Sequence, residues 1–151
     1  MTIQHILVPI DFSDYADNAL DDAIALATVL QARLTVLYVL HLSTLALGEV
    51  PTAVLDDTLE AIEANAQLRI QQALTRVQQS GLQGDSAIIE GIPFQMIIET
   101  AESREVDLIV MGTQGRTGLS HALMGSVAEN VVGLAPCPVL VTRGTPDASD
   151  A

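Results

Sequence analysis

The chain has no lysine and no tryptophan, a single cysteine, and aromatic residues at only 3% of its 151 positions. Each of these gaps excludes something. With Cys137 alone no intrachain disulfide can form, which fits a reducing cytoplasm. Set between Pro136 and Pro138, that cysteine is expected to be a packed small hydrophobe. Three scattered histidines and one cysteine do not give the ligand spacing of a zinc site. All six cations are arginines, against 19 acids, for a formal net charge of −13. Such a surface repels nucleic acid and anionic lipid, so neither is an expected partner. No apolar run approaches the roughly 20 residues of a membrane span. The opening MTIQHILVPIDFS lacks the basic region and small-residue cleavage site of a signal peptide, so a cytoplasmic location is expected.

What is present is aliphatic. Hydrophobic residues make up 49% of the chain, enough for one packed core. One domain is expected over residues 1–143, followed by a disordered acidic tail, GTPDASDA, at 144–151. Apolar runs at 3–10, 33–40, 85–90, 107–111 and 138–143 predict five strands. Between them lie helical stripes. Ala16, Ala19, Leu20, Ala23, Ala27 and Leu30 share one face of a first helix, which Ser13 or Asp14 can cap. Leu55, Leu59, Ile62, Ala66, Ile70, Ala73 and Val77 mark a long helix over about 53–80, ended by Gly81 and Gly84. Pro93 suits the first turn of a third helix, with Phe94, Ile97, Ile98 and Ala101 inward. A fourth spans about 126–135, with Val127, Val131 and Leu134 inward.

Strands that are apolar throughout and alternate with helices predict a parallel sheet covered on both faces. The fold class is therefore α/β: an open, doubly wound, five-stranded parallel sheet, with an expected strand order of 3-2-1-4-5. Ligands of such sheets bind beyond the C-terminal strand ends, where the strand order reverses. Pro9-Ile10-Asp11 and the stretch Gly112–Ser126 both fall at that edge.

The second stretch is the most informative in the chain. DLIVMG ends a strand, glycines follow at 112, 115, 118 and 125, and Ser126 opens a helix. Glycines let backbone approach a ligand, and helix N-termini present N–H groups to anions. The spacing is G-x2-G-x9-G followed by serine. It is neither Walker A, which needs a lysine, nor the dinucleotide fingerprint G-x-G-x-x-G. By spacing alone a structural turn and a phosphate cradle stand level.

The motif DLIVMGTQGRTGLSHALMGSVAENVV at 107–132 resembles that of the universal stress protein family, in its small nucleotide-binding form. HILVPIDFSDYADNAL, GIPFQMIIETAE and PCPVLVTR extend the resemblance over nearly the whole chain. The resemblance implies an adenine nucleotide, ATP or else ADP, AMP or cyclic AMP, held with Mg2+. It places Asp11 near the adenine or ribose beside Pro9, Val39 against the adenine, and Met111 and Gly112 at the ribose. Gly115, Gly125, Ser126 and Val127 would surround the phosphates, with Gln114 and Arg116 in the same loop. Gln114 stands where relatives often carry histidine, and His121 where a basic residue is common. Mg2+ would be bound through the phosphates and through Asp11. The resemblance also implies a homodimer through the last strand, 138–143. It implies a regulatory role in stress response or signalling through nucleotide-dependent conformation.

The residues themselves leave Asp11 two readings, a ligand or a cap for the first helix. His5 reads as a hydrogen-bonded structural histidine and His41 as solvent-exposed. No histidine or aspartate is spaced to make Ser126 a nucleophile, so any ATPase activity is expected to be weak. A slow ATP hydrolase and a nucleotide-free interaction protein are the competing functions.

Overall fold

The computed structural model describes residues 1–41, 52–113 and 124–143, with side chains in the long second helix described from residue 56 onward. The elements run β1 (His5–Ile10), α1 (Asp14–Leu30), β2 (Arg33–Leu40), α2 (Thr52–Gln79), β3 (Gly84–Glu90), α3 (Pro93–Ser103), β4 (Leu108–Gly112), α4 (Ser126–Leu134) and β5 (Val139–Thr142). All four strand pairings are parallel, and the sheet order is β3-β2-β1-β4-β5. This is the order expected from the alternating pattern. The reversal falls between β1 and β4, so their C-terminal ends flank one crevice position.

The pleat sorts the strand residues between two cores. Ile6, Val8 and Ile10 of β1 join Leu34 and Val36 of β2 under α1 and α2. Leu7 and Leu37 face the other way, with Ile109 and Met111, under α3 and α4. Alternate residues are buried on opposite faces, which is why the central strands are apolar throughout. β3, an edge strand, is only half-buried and tolerates Asp85 and Ser86. Among the described residues no helix is long and apolar enough to cross a membrane.

Ser13, not Asp14, caps α1: its Oγ accepts from the Ala16 N–H at 3.2 Å. The small residues Ala16, Ala19, Ala23 and Ala27 are all buried and bring α1 close to the sheet. Two expected core residues are corrected. Leu30 is 39% exposed and Leu134 is 60% exposed. Each is the last residue of its helix, where the packing surface gives out. In α4, which packs against α3 and the edge strand β5, the buried residues are Ala128 and Val131, and Val127 is half-buried. β4 begins at Leu108 rather than at 107. The Asp107 carboxylate is committed to the Gln4 and His5 N–H groups, at 2.9 and 3.0 Å.

Candidate functional site

Most of the predicted residues with described positions gather at the C-terminal edge of the sheet. Pro9 is half-buried on β1, and Asp11 follows the end of that strand, also half-buried. Val39 lies near the end of β2, half-buried on the α3–α4 side. Met111 and Gly112, both buried, end β4. Gly125 and Ser126 are brought to the same edge by two backbone hydrogen bonds. The Gly125 N–H donates to the Thr113 carbonyl at 2.7 Å, and the Thr113 N–H donates to the Thr142 carbonyl at 3.0 Å. Gln114, Gly115 and Arg116, with Gly118 and His121, lie outside the described residues, as does the tail at 144–151.

The two helices that start at this edge differ in their caps. α1 has a serine side chain over its first turn. α4 has Gly125 at its N-cap, with φ −65° and ψ 160°, and no side-chain cap hydrogen bond. Among the described residues, then, no side chain consumes the donor capacity of the first-turn N–H groups of α4. They carry the positive end of the helix dipole. Ser126, exposed, adds a hydroxyl beside them. Glu129 lies in the same first turn, so an incoming anion shares that dipole with a carboxylate.

Asp11 is not the helix cap. Its Oδ1 accepts from the Ser13 N–H at 3.0 Å, closing a tight turn over Phe12. Phe12 lies in the left-handed region with φ 66°. For a bulky side chain this conformation raises the energy by roughly 1–2 kcal/mol. Its ring stacks on Tyr38 of β2, with centroids 4.6 Å apart at 30°. The Arg69 guanidinium of α2 stands over the same ring, 4.4 Å from its centroid.

Gly112 has a second structural reason to be glycine. A Cβ built there would lie 3.0 Å from both the Tyr15 Cβ and the Tyr15 carbonyl oxygen. The first turn of α1 thus rests directly on the end of β4, and backbone cannot yield as a flexible side chain can.

The opposite edge holds the histidine. His5 is 3% exposed, as suits a structural role. Its Nδ1 donates to the Arg104 carbonyl at 3.2 Å, and its Nε2 lies 2.7 Å from Thr35 Oγ1. That hydroxyl also reaches Asp85 Oδ1 at 2.5 Å, and Asp85 pairs with Arg104 at 3.0 Å. Thr35 has one proton and two acceptors in reach, a conflict that protonating the ring would resolve. Burial, followed by the Arg33 charge, nonetheless holds the His5 pKa below its ordinary 6.5. Cys137 packs against the α3–α4 core as expected. Burial, with Asp107 nearby, pushes its thiol up and away from reactivity.

No group of three or more histidine, cysteine, aspartate or glutamate residues converges on a metal position among the described residues. The described part of this edge thus shows no protein-built metal cage. Mg2+ characteristically binds through one carboxylate together with substrate phosphates, and Asp11 fits that lesser role.

Sequence reasoning passed over Phe12, Tyr38 and Arg69. Phe12 reads as part of the segment that closes the first strand, and nothing in a single sequence announces a left-handed phenylalanine. It also passed over Thr142, whose Oγ1 is buried at this edge without a hydrogen-bond partner. Arg143, exposed, follows directly after β5. A lone cation after the last strand of so acidic a chain was a signal available to find it.

A model of the universal stress protein family matches residues 2–143. Universal stress protein MJ0531 of Methanocaldococcus jannaschii is 35% identical over 138 residues, covering 91% of this chain and 81% of that protein. The solved structure of MJ0577, from the same organism, superposes with a TM-score of 0.85 at 28% identity, covering 97% of this chain and 100% of that one. A universal stress protein solved in complex with cAMP shares the fold at a TM-score of 0.71 and 23% identity, covering 96% and 100% of the two chains. The strand order, the motif around Gly112 and Gly125 and the family match agree: this chain belongs to the universal stress protein family.

Proposed function

We propose that this protein is an adenine-nucleotide-binding regulatory module acting in stress response or signalling. ATP, or a related adenine nucleotide, sits across the C-terminal ends of β1 and β4. The observation that carries this reading is the start of α4. Its first turn has no side-chain cap, opens on Gly125 and Ser126, and is hydrogen-bonded to the end of β4. In a chain of net charge −13, an anion must be held by local donors rather than by the overall field. Pro9, Val39 and Met111 supply apolar contact for the base and sugar, and Asp11 supplies a carboxylate. Gly115 and Arg116 complete the phosphate cradle, with Gln114 beside them. Mg2+ enters with the phosphates and neutralises part of their charge. The family-related structure solved with cAMP supports an adenine nucleotide as the class of ligand for this fold.

The same reading includes a homodimer through the last strand. Among the described residues β5 pairs with β4 alone, and Leu140 on it is 42% exposed. An apolar edge strand is an aggregation hazard unless it is covered, and a two-fold copy of itself is the simplest cover. Sedimentation should return a dimer at micromolar concentration, and a monomer there contradicts it.

The nucleotide claim is tested by equilibrium titration with ATP, ADP, AMP and cyclic AMP, with and without Mg2+. Saturable binding of at least one is expected, lost in a Gly125→Val, Ser126→Ala double variant that keeps its circular dichroism. If none of the four binds at millimolar concentration, or if the double variant binds with unchanged affinity, the reading is wrong.

A further inference from the structure

Phe12 is a bulky residue held in a conformation that suits glycine, and three elements converge on it. It lies two residues beyond the end of β1, with φ 66°. Tyr38, from β2, stacks on its ring. Arg69, from α2, places its guanidinium over that ring. A strained residue persists only where its surroundings over-determine it, and such residues gather at functional positions. Among the described residues the other two non-glycine residues with positive φ are Gln31 and Glu105, which follow the C-terminal ends of α1 and α3. A left-handed residue is ordinary there. Phe12 precedes a helix instead, so that explanation does not cover it.

The consequence of the strain falls on Asp11. The turn over Phe12 is closed by the Ser13 N–H donating to Asp11 Oδ1 at 3.0 Å. This hydrogen bond ties one carboxylate oxygen to the turn, and the ring's contacts hold the φ of Phe12 within that turn. A carboxylate accepts hydrogen bonds and donates none. Of the parts of a nucleotide, the ribose hydroxyls offer it two adjacent donors. In dinucleotide-binding α/β folds an acidic residue about 20 residues beyond the first glycine turn hydrogen-bonds a ribose hydroxyl, and Asp11 brings the same chemical group to the C-terminal edge of this sheet.

We infer that Phe12, clamped by Tyr38 and Arg69, is a positioning residue that aims the Asp11 carboxylate at the ribose hydroxyls of a bound adenine nucleotide. This rests on the nucleotide reading above. It adds a specificity to that reading: the site discriminates ribose from 2′-deoxyribose, and the discrimination depends on a ring that need not touch the nucleotide. An aliphatic side chain at position 12 would fill the same space without the stack or the cation contact.

The test compares affinity for ATP and for 2′-deoxy-ATP in the parent and in Phe12→Leu, Phe12→Tyr, Arg69→Gln and Asp11→Ala, with the melting temperature of each. The parent is expected to prefer ATP by about tenfold, the size of one good charged hydrogen bond. Asp11→Ala should abolish the preference, Phe12→Leu should lower it toward that of Asp11→Ala, and Phe12→Tyr should restore it. Arg69→Gln keeps every core residue in place and should reduce the preference in the same direction. A merely structural role would lower the melting temperature and leave the ratio of the two affinities unchanged. The inference is overturned if Phe12→Leu and Arg69→Gln retain the parental ratio, or if the parent shows no preference. If the parent binds neither nucleotide, the site reading itself falls, which the first titration shows before any variant is made.

Discussion

At the N-terminal ends of the strands, His5, Thr35, Asp85, Arg104 and Asp107 are hydrogen-bonded or ion-paired to one another and to nearby backbone. At the C-terminal ends, the first turn of α4 has no side-chain cap and Thr142 Oγ1 is buried without a hydrogen bond. Phe12, at that same edge, is strained. Both edges are polar and both close the same sheet. The difference lies in whether the polar groups use up each other's capacity. An edge whose polar groups are already partnered contributes stability. An edge with an uncapped helix start, and with backbone held in a costly conformation, is the one at which the proposed nucleotide would sit.

The comparison can be broken most severely at Gly112. Gly112→Val places two further carbons against the Tyr15 backbone, which stands 3.0 Å from a Cβ at that position. Overpacking of this kind destabilises by about 2–3 kcal/mol, and a chemical-denaturation midpoint will show it. Nucleotide affinity should fall as well, because the first turn of α1 and Asp11 move together. His5→Ala should remove about 2 kcal/mol of stability by orphaning the Arg104 carbonyl and leaving a gap. Here nucleotide affinity should not change. A stability loss at one edge without a binding loss, and both together at the other, is the pattern that the comparison requires.

A smaller effect is expected with pH. The His5 pKa is depressed in the folded chain, so folding favours the neutral ring. The unfolded chain then binds more protons in the interval between the two values. The stability contribution is complete above 6.5 and is lost as pH falls through the folded pKa. Thermal unfolding of the parent and of His5→Gln across this range should converge toward acid. A constant difference at every pH would exclude the histidine as the titrating group. The smallest effect is expected at Arg76, which bridges α2 to Asp17 at 3.6 Å and to Asp21 on α1. The arginine side chain is 39% exposed and its partners 64%, so Arg76→Ala should change stability by less than about 1 kcal/mol.

Much of the fold could be read from residue order. The five apolar runs, the alanine stripe of α1 and the stripe through Ala66, Ile70, Ala73 and Val77 all mark buried surface, and burial has a period. Helix ends were less legible. Leu30 and Leu134 continue the pattern of their helices, but a pattern does not say where the neighbouring element stops. The start of β4 moved because Asp107 turns its carboxylate back onto the first strand, a contact about a hundred residues away in sequence. For the site, Asp11, Gly112, Gly125 and Ser126 stood out because turns and helix starts have local signatures. Phe12, Tyr38 and Arg69 did not, since their relation is a stack assembled from three elements. The pressure of Tyr15 on Gly112 was hidden for the same reason.

The most direct test of the contrast is a 15N-resolved NMR titration of the parent with ATP and Mg2+. The account predicts saturable shifts of the amides of Asp11, Phe12, Ser13, Thr113, Ser126 and Val127, with those of His5, Thr35, Asp85 and Arg104 unmoved. Shifts confined to the second group, or none in the first at millimolar nucleotide, would contradict it.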